Sequence, residues 1–184
     1  MEVKPKENVK VIQTYKPGKP IEEVVRELRL TGVVIKLASN ENPLGTAPFA
    51  LQAMRKALKE SFLYPDDNCF YLKNALAQKF NVQPGEIIVG NGSVEILPLV
   101  TLAYLAPTES AVTAKGGFIW YKIAINIAGG ELIEVPMKNH THDLEAMLGA
   151  VKENTKLIFI ANPNNPTGTI VTKDEFDRFM TRVP

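Results

Sequence analysis

The chain has 184 residues, 45% hydrophobic and 22% charged, the composition of a globular protein with a real core rather than of a disordered or fibrous one. Its 21 basic and 20 acidic residues leave a net charge of +1, which gives no electrostatic reason to expect nucleic acid or an anionic membrane as a partner. The longest apolar stretch, around Leu97 to Ala106, is broken by Pro98, Thr101 and Tyr104 and is too short to span a bilayer. No signal-peptide core follows Met1, and Cys69 is the only cysteine, so a disulfide framework is excluded and a cytoplasmic setting is expected.

Residues 1–20 contain Pro5, Pro17, Gly18 and Pro20 and read as an extended arm. Lys4, Lys6, Lys10, Lys16 and Lys19 make it mildly basic, as a solvated segment is. Ile21, Val24, Val25 and Leu28 fall at i, i+3, i+4 and i+7, one face of a helix running towards Gly32. Val33 to Leu37 is a strand-like run, followed by the polar turn Ala38 to Gly45. A helix is predicted from about Pro48 to Phe62 with Leu51, Met54, Leu58 and Phe62 inward, and a second from Asn68 to Phe80 with Leu72, Ala75, Leu76 and Phe80 on one face.

Glu86 to Val89 is predicted as a strand. Gly90-Asn91-Gly92-Ser93-Val94-Glu95 follows and opens an apolar helix, which Pro98 is expected to kink. A Gly-rich turn at a helix N-terminus leaves backbone N–H groups unpaired, and the helix dipole favours an anion there. Ser93 either caps this helix or meets a phosphate oxygen; the spacing does not choose. Ser110 to Ala114 is a strand. Phe118 to Ala128 is apolar and aromatic and ends at Gly129-Gly130. Glu131 to Val135 is a strand closed by Pro136. Asp143 caps a helix bearing Leu144, Met147, Leu148 and Val151. His140 and His142 share an i, i+2 spacing, but no third ligand accompanies them, so no metal site is expected.

The apolar run Leu157 to Ile160 is a buried strand. The loop Ala161-Asn162-Pro163-Asn164-Asn165-Pro166-Thr167-Gly168-Thr169 follows it, then a capping box, Thr172 to Glu175, opening a helix with Phe176, Phe179 and Met180. Asn, Pro and Gly are ordinary turn residues. Two Asn-Pro pairs and a Thr-Gly in nine residues exceed what a turn needs, and the carboxyl end of a buried strand is where ligands bind in open α/β sheets. Alternating strands and helices give an α/β fold with a mostly parallel sheet.

The Asn-Pro-Asn-Asn-Pro-Thr-Gly loop resembles that of the class I/II pyridoxal-phosphate (PLP) dependent aminotransferases, and among them is most similar to the histidinol-phosphate aminotransferases. Further boxes agree in the same chain order: Tyr15-Lys16-Pro17-Gly18, Ser39-Asn40-Glu41-Asn42-Pro43-Leu44-Gly45, Tyr64-Pro65-Asp66 and Gly90-Asn91-Gly92-Ser93. The resemblance implies fold type I. Residues 1–45 would be the arm and first helix, part of a small domain. Residues 46–184 would be a partial three-layer α/β/α PLP-binding domain.

The resemblance also implies roles. Gly92, Ser93 and Val94 would hold the cofactor phosphate, Val94 standing where the family commonly has Asp. Phe118 would stack on the pyridine ring, after Gly116-Gly117 in place of the usual Pro-Thr, although core packing explains Phe118 equally on spacing. Asn165 would bond the phenolic oxygen, and Tyr64 would reach the phosphate of the other subunit of a homodimer. Tyr15 and Asn40 would line the substrate side. The family's Schiff-base lysine, the Asp paired with the ring nitrogen and the carboxylate-gripping arginine have no counterpart here; Lys115, Lys122, Lys156 and Lys173 read as surface residues. The implied activity is transfer of an amino group between an amino acid and a 2-oxo acid or keto phosphate, as in histidine biosynthesis, with the present stretch inactive alone. The alternatives are a threonine-phosphate decarboxylase-like PLP enzyme and a non-catalytic α/β anion-binding module.

Overall fold

The computed structural model describes residues 3–13, 15 and 17–184. It divides into two units: residues 1–14 with 88–184, and residues 15–87.

The larger unit is built on three parallel strands, β1 (Ser110–Lys115), β2 (Glu131–Pro136) and β3 (Thr155–Phe159), in the order β2-β1-β3. Val112 of β1 pairs with Ile133 on one side and Ile158 on the other. Five of the six β1 residues are buried, as expected of a central parallel strand covered on both faces. Helices α5 (Ser93–Tyr104) and α6 (Ile119–Ala128) cover one face. There Leu105, Ala111, Tyr121, Ile125 and Phe159 form a cluster. Helices α7 (Leu144–Gly149) and α8 (Lys173–Met180) cover the other, around Val112, Val135, Met147 and Phe179. The expected α/β/α layering and parallel sheet are therefore present in this unit.

Local chemistry sets the boundaries. Asp143 accepts from the N–H of Ala146 and starts α7. Thr172 and Glu175 form the reciprocal capping box of α8, and the hydroxyl and N–H of Thr172 together hold the Glu175 carboxyl below its ordinary pKa. Gly129 ends α6 at φ +84°, a left-handed conformation that glycine adopts without a Cβ penalty. Pro98 inside α5 removes one helical hydrogen bond; the buried Thr101 hydroxyl engages both the Pro98 and Ala124 carbonyls, each at 3.0 Å, joining α5 to α6. The amino-terminal segment is not wholly extended. Glu7–Lys10 form one helical turn, α1, and the Asn8 amide donates to the carbonyls of Asn126 and Ile127 at 2.8 and 3.1 Å. Both lie in the last turn of α6, where carbonyls run out of helical donors; the Asn126 carbonyl also accepts from the Gly129 N–H at 3.1 Å.

The smaller unit holds α2 (Ile21–Leu28), α3 (Pro48–Ala57) and α4 (Phe70–Phe80). Helix α2 stops at Arg29 in the left-handed region, not at Gly32. Helix α3 gives way to a 3₁₀ turn at Leu58–Glu60. Helix α4 starts at Phe70 rather than Asn68, because Asp66 accepts from the N–H groups of Asn68 and Phe70 and so fixes its entry. The expected strand at Val33–Leu37 does not form. Val33, Ile35 and Leu37 are exposed, and no described strand lies beside them to supply a ladder. The expected strand at Glu86–Val89 is likewise absent: Glu86 closes a 3₁₀ turn, Ile87 is extended, and no strand among the described residues pairs with the segment. The faces predicted to point inward are largely open, with Leu51, Met54, Leu58, Phe62, Leu72 and Phe80 all exposed.

The chain exposes 14484 Å², whereas 20.3 kDa of polypeptide folded even into two separate compact bodies would expose only about 10,500 Å² by the scaling of surface with mass. The two sheet edges also differ. Edge strand β2 carries Glu131 and Glu134 and ends in Pro136, which blunts further pairing, while edge strand β3 offers Leu157, Ile158 and Phe159. The isolated chain is therefore expected to self-associate. Sedimentation velocity should show species larger than 20.3 kDa; a soluble monomer with a cooperative thermal transition would contradict this.

Candidate active site

The carboxyl ends of β1 and β3 lie side by side, because the strands are parallel and adjacent. The Gly116–Phe118 turn leaves β1 there, and the Asn162–Gly168 loop leaves β3. They touch: a Cβ at Gly117 would lie 3.9 Å from both Asn164 Oδ1 and Thr113 Oγ1, and 3.1 Å from the Ala114 carbonyl. Helix α5 ends just before β1 begins and packs on α6 and β3. Its twelve residues run back about 18 Å at 1.5 Å per residue, which carries its N-terminus to the same carboxyl edge.

At that N-terminus Gly92 is the cap residue, at φ +78° and ψ 177°, a region essentially restricted to glycine. Gly90 is held close: an added Cβ would stand 2.7 Å from Glu95 Oε2 and 2.8 Å from Ile96 Cδ1. The sequence allowed Ser93 to cap the helix; instead it is the first helical residue and its hydroxyl makes no cap bond. The N–H groups of Ser93 and Val94 have no acceptor among the described residues, so two donors at the positive end of a helix dipole converge on the turn. One carboxylate already stands beside it: Glu95 Oε2 accepts from the Asn91 N–H at 2.6 Å and from its Nδ2 at 3.1 Å.

Phe118 precedes α6, half-buried, its ring edge-on to Tyr121 at 5.7 Å; Tyr121 stacks on Phe159 at 4.9 Å. Burial raises the Tyr121 phenol above its ordinary pKa. Phe118 thus belongs partly to the core and partly to the sheet edge.

The β3 loop separates three asparagines by role. Both of its Asn-Pro bonds, Asn162-Pro163 and Asn165-Pro166, are cis. Asn162 closes on Val171 through both ends of its amide, at 3.0 and 3.1 Å. Asn164 is buried and its Nδ2 donates to Thr167 Oγ1 at 2.8 Å. The half-buried Asn165 side chain bonds no group of the chain among the described residues. Two amides hold the loop together and the third makes no bond within it among the described residues.

The loop is also anchored by a segment that sequence reasoning passed over. The Thr167 and Thr169 hydroxyls both donate to the His140 carbonyl, at 2.8 and 2.7 Å. His142 Nε2 accepts from the Ala161 N–H at 3.3 Å. His140 and His142 do not share a strand face: Asn139 and His140 are left-handed, at φ 50° and 60°, and only His142 is buried. No three His, Cys, Asp or Glu side chains gather in metal-binding geometry among the described residues. No periodicity marks His142 in the sequence; a turn with two left-handed residues gives no pattern.

In the smaller unit, Tyr64 is fully exposed and Tyr15 partly so. Asn40 is exposed, while Asn42 closes its own turn on Leu44 and Gly45. Gly18 packs against Ala38, with room for no side chain, which brings the segment after Tyr15 onto the Ser39–Gly45 box. Lys16 lies outside the described residues. Lys122, Lys156 and Lys173 pair with Glu134, Glu109 and Asp177, and Lys115 is exposed.

Residues 32–184 match the family pattern of "Aminotransferase class I and II". The chain belongs to that family. It is 50% identical over 179 residues to a histidinol-phosphate aminotransferase of Moorella thermoacetica, covering 97% of this chain and 46% of that protein. It is 47% identical to one of Methylobacillus flagellatus, over 96% of this chain and 48% of the relative. The crystal structure of histidinol-phosphate aminotransferase from Sinorhizobium meliloti in complex with pyridoxal-5'-phosphate superposes with a TM-score of 0.87 at 27% identity, over all of this chain and 49% of that one. The chain thus spans about half the length of the curated relatives it matches. The fold is that of the type I aminotransferases, and no helix among the described residues is long and apolar enough to cross a membrane.

Gly92 carries a specific expectation. Gly92→Ala forces an L-residue into glycine-only backbone space and should destabilise the turn by roughly 1–3 kcal/mol, read as faster hydrogen–deuterium exchange in peptides covering residues 88–104, a measurement that tolerates an oligomer. Unchanged exchange there would mean the turn adopts another conformation.

Proposed function

We propose that this chain supplies the amino-terminal half of a PLP-dependent aminotransferase that moves an amino group between histidinol phosphate and 2-oxoglutarate in histidine biosynthesis. The observation that carries the reading is the near-50% identity, over almost the whole chain, to proteins named for that activity. The residues present fit the cofactor. The free N–H groups of Ser93 and Val94 and the glycine-only turn at Gly92 suit its phosphate. The half-buried Phe118 suits its ring, and the unbonded Asn165 amide suits its phenolic oxygen. Bound PLP would supply the electron sink that lets an amino group pass between an amino acid and a keto acid.

The chain's own residues bind and orient. The α5 N-terminus neutralises the phosphate charge, and Val94, having no polar side chain, acts through its backbone alone. Asn165 donates to an oxyanion from a rigid loop, an interaction that gains from being preorganised. Tyr15 and Asn40 line the substrate side, and the fully exposed Tyr64 serves the phosphate of the other subunit in a homodimer. The lysine that anchors the cofactor covalently belongs to the other half of the family chain, and the cytoplasm suits the one-cysteine composition.

The test is a transamination assay with histidinol phosphate and 2-oxoglutarate, on this chain co-expressed with the carboxyl-terminal half of a family member. Asn165→Ala should lower kcat/KM by about 10–100-fold, the range of a lost hydrogen bond to a charged group. Carbon dioxide release from threonine phosphate, without transamination, would favour the decarboxylase alternative. Alone, the chain treated with PLP and borohydride should give no stoichiometric pyridoxyl-lysine at a single position; finding one would sink the reading.

A further inference from the structure

His142 has no role in the reading above, yet it is one of the few buried polar side chains, 5% exposed, together with Asn164 at 3%. Each leaves one buried atom without a hydrogen-bond partner in the chain: Nδ1 of His142 and Oδ1 of Asn164. Buried polar atoms are nearly always paired, so it is informative that two of the three such orphans, the third being Thr113 Oγ1, belong to side chains that act on one another. They are also complementary. Nε2 accepts from the Ala161 N–H, so a neutral ring must carry its proton on Nδ1 and present a donor there. Asn164 Nδ2 is already committed to Thr167, which leaves Oδ1 as an acceptor.

We propose that neutral His142 is a positioning residue: its ring ties the Ala161 amide to the Asn164 side chain and holds the β3 loop in the form that presents Asn165. Ala161 and Asn164 flank the Asn162-Pro163 bend of the loop. One ring therefore fixes both sides of the bend, and Asn165 is the next residue along. The Thr167 and Thr169 bonds to the His140 carbonyl hold the far side of the loop to the same turn. The role rests on the reading of Asn165 as the residue offered to the cofactor, but its test needs no cofactor.

Burial lowers the His142 pKa below the ordinary value. Hydrogen bonding with the Asn164 side chain and at Ala161 offsets part of that lowering without reversing it. The contribution of the neutral ring is thus fully present above the unfolded-state value of about 6.5 and is lost as pH falls below it towards the lower folded value. The charged and titratable groups around the ring are Lys138, His140 and Asp143 on its own segment, Glu145 on α7, and Glu175 and Arg178 on α8. They could produce a pH response of their own, so a control at position 142 is needed.

The experiment is hydrogen–deuterium exchange with mass spectrometry on the 184-residue chain, which tolerates an oligomer, with rates corrected for intrinsic exchange. His142→Leu should speed exchange in peptides covering residues 157–169 at least tenfold while β1 peptides stay protected. His142→Gln keeps an acceptor for the Ala161 N–H and should restore most of that protection. Between about pH 8 and pH 5, bracketing the ordinary His value, the wild-type loop should lose protection and the His142→Gln loop should not. If His142→Leu also unprotects β1, the pH profiles of wild type and His142→Gln decide alone. Unchanged loop exchange in His142→Leu with β1 intact, or identical pH profiles in wild type and His142→Gln, overturns the proposal. Asn165→Ala should leave loop exchange unaltered, so failure of the Asn165 reading in the transamination assay is a separate result.

Discussion

The larger unit depends on the ladder that saturates β1 on both sides. Because β2 and β3 both run parallel to β1, every connection between them must cross a face of the sheet, and those connections are the helices that bury it. The same parallel arrangement gathers the carboxyl ends of the strands at one edge. That is why the Gly117 turn and the Asn-Pro loop meet although they lie far apart in sequence. A single flipped strand would send one of them to the opposite edge.

The elements legible in the sequence are those whose determinants are local. The Asp143 cap, the Thr172–Glu175 box, the Gly129 terminus and the three strands of the sheet all appear within a residue or two of where their side chains place them. The failures are elements that need a partner. Val33–Leu37 and Glu86–Val89 have strand composition, but a strand is defined by the backbone beside it, and composition does not supply one. The amphipathic faces of α3 and α4 are read from periodicity, which predicts that a face is apolar and says nothing of what covers it.

In the site, the family pattern drew attention to the Asn-Pro loop as a whole. What it could not separate was the work of each asparagine, since Asn162, Asn164 and Asn165 are chemically identical. Only hydrogen-bond partners distinguish two amides that build the loop from one that is left over. The anchoring role of residues 138–142 was invisible for a related reason: the acceptor is a backbone carbonyl, that of His140, and a carbonyl has no signature in a sequence. The same holds for the free N–H groups at Ser93 and Val94, which follow from helix geometry rather than from residue type.

The Asn8 amide reaches carbonyls 118 and 119 residues further along, and so encloses residues 15–87 as an excursion between two parts of one body. Closing so long a loop adds little entropy cost beyond that of a loop half its length, because the cost grows only with the logarithm of length. The price is in time instead, since contacts so distant in sequence form late. The excursion can therefore change in length or content over evolution with small effect on the equilibrium of the sheet-bearing unit. What it cannot do is lose the one-turn helix before it without leaving the end of α6 open to water.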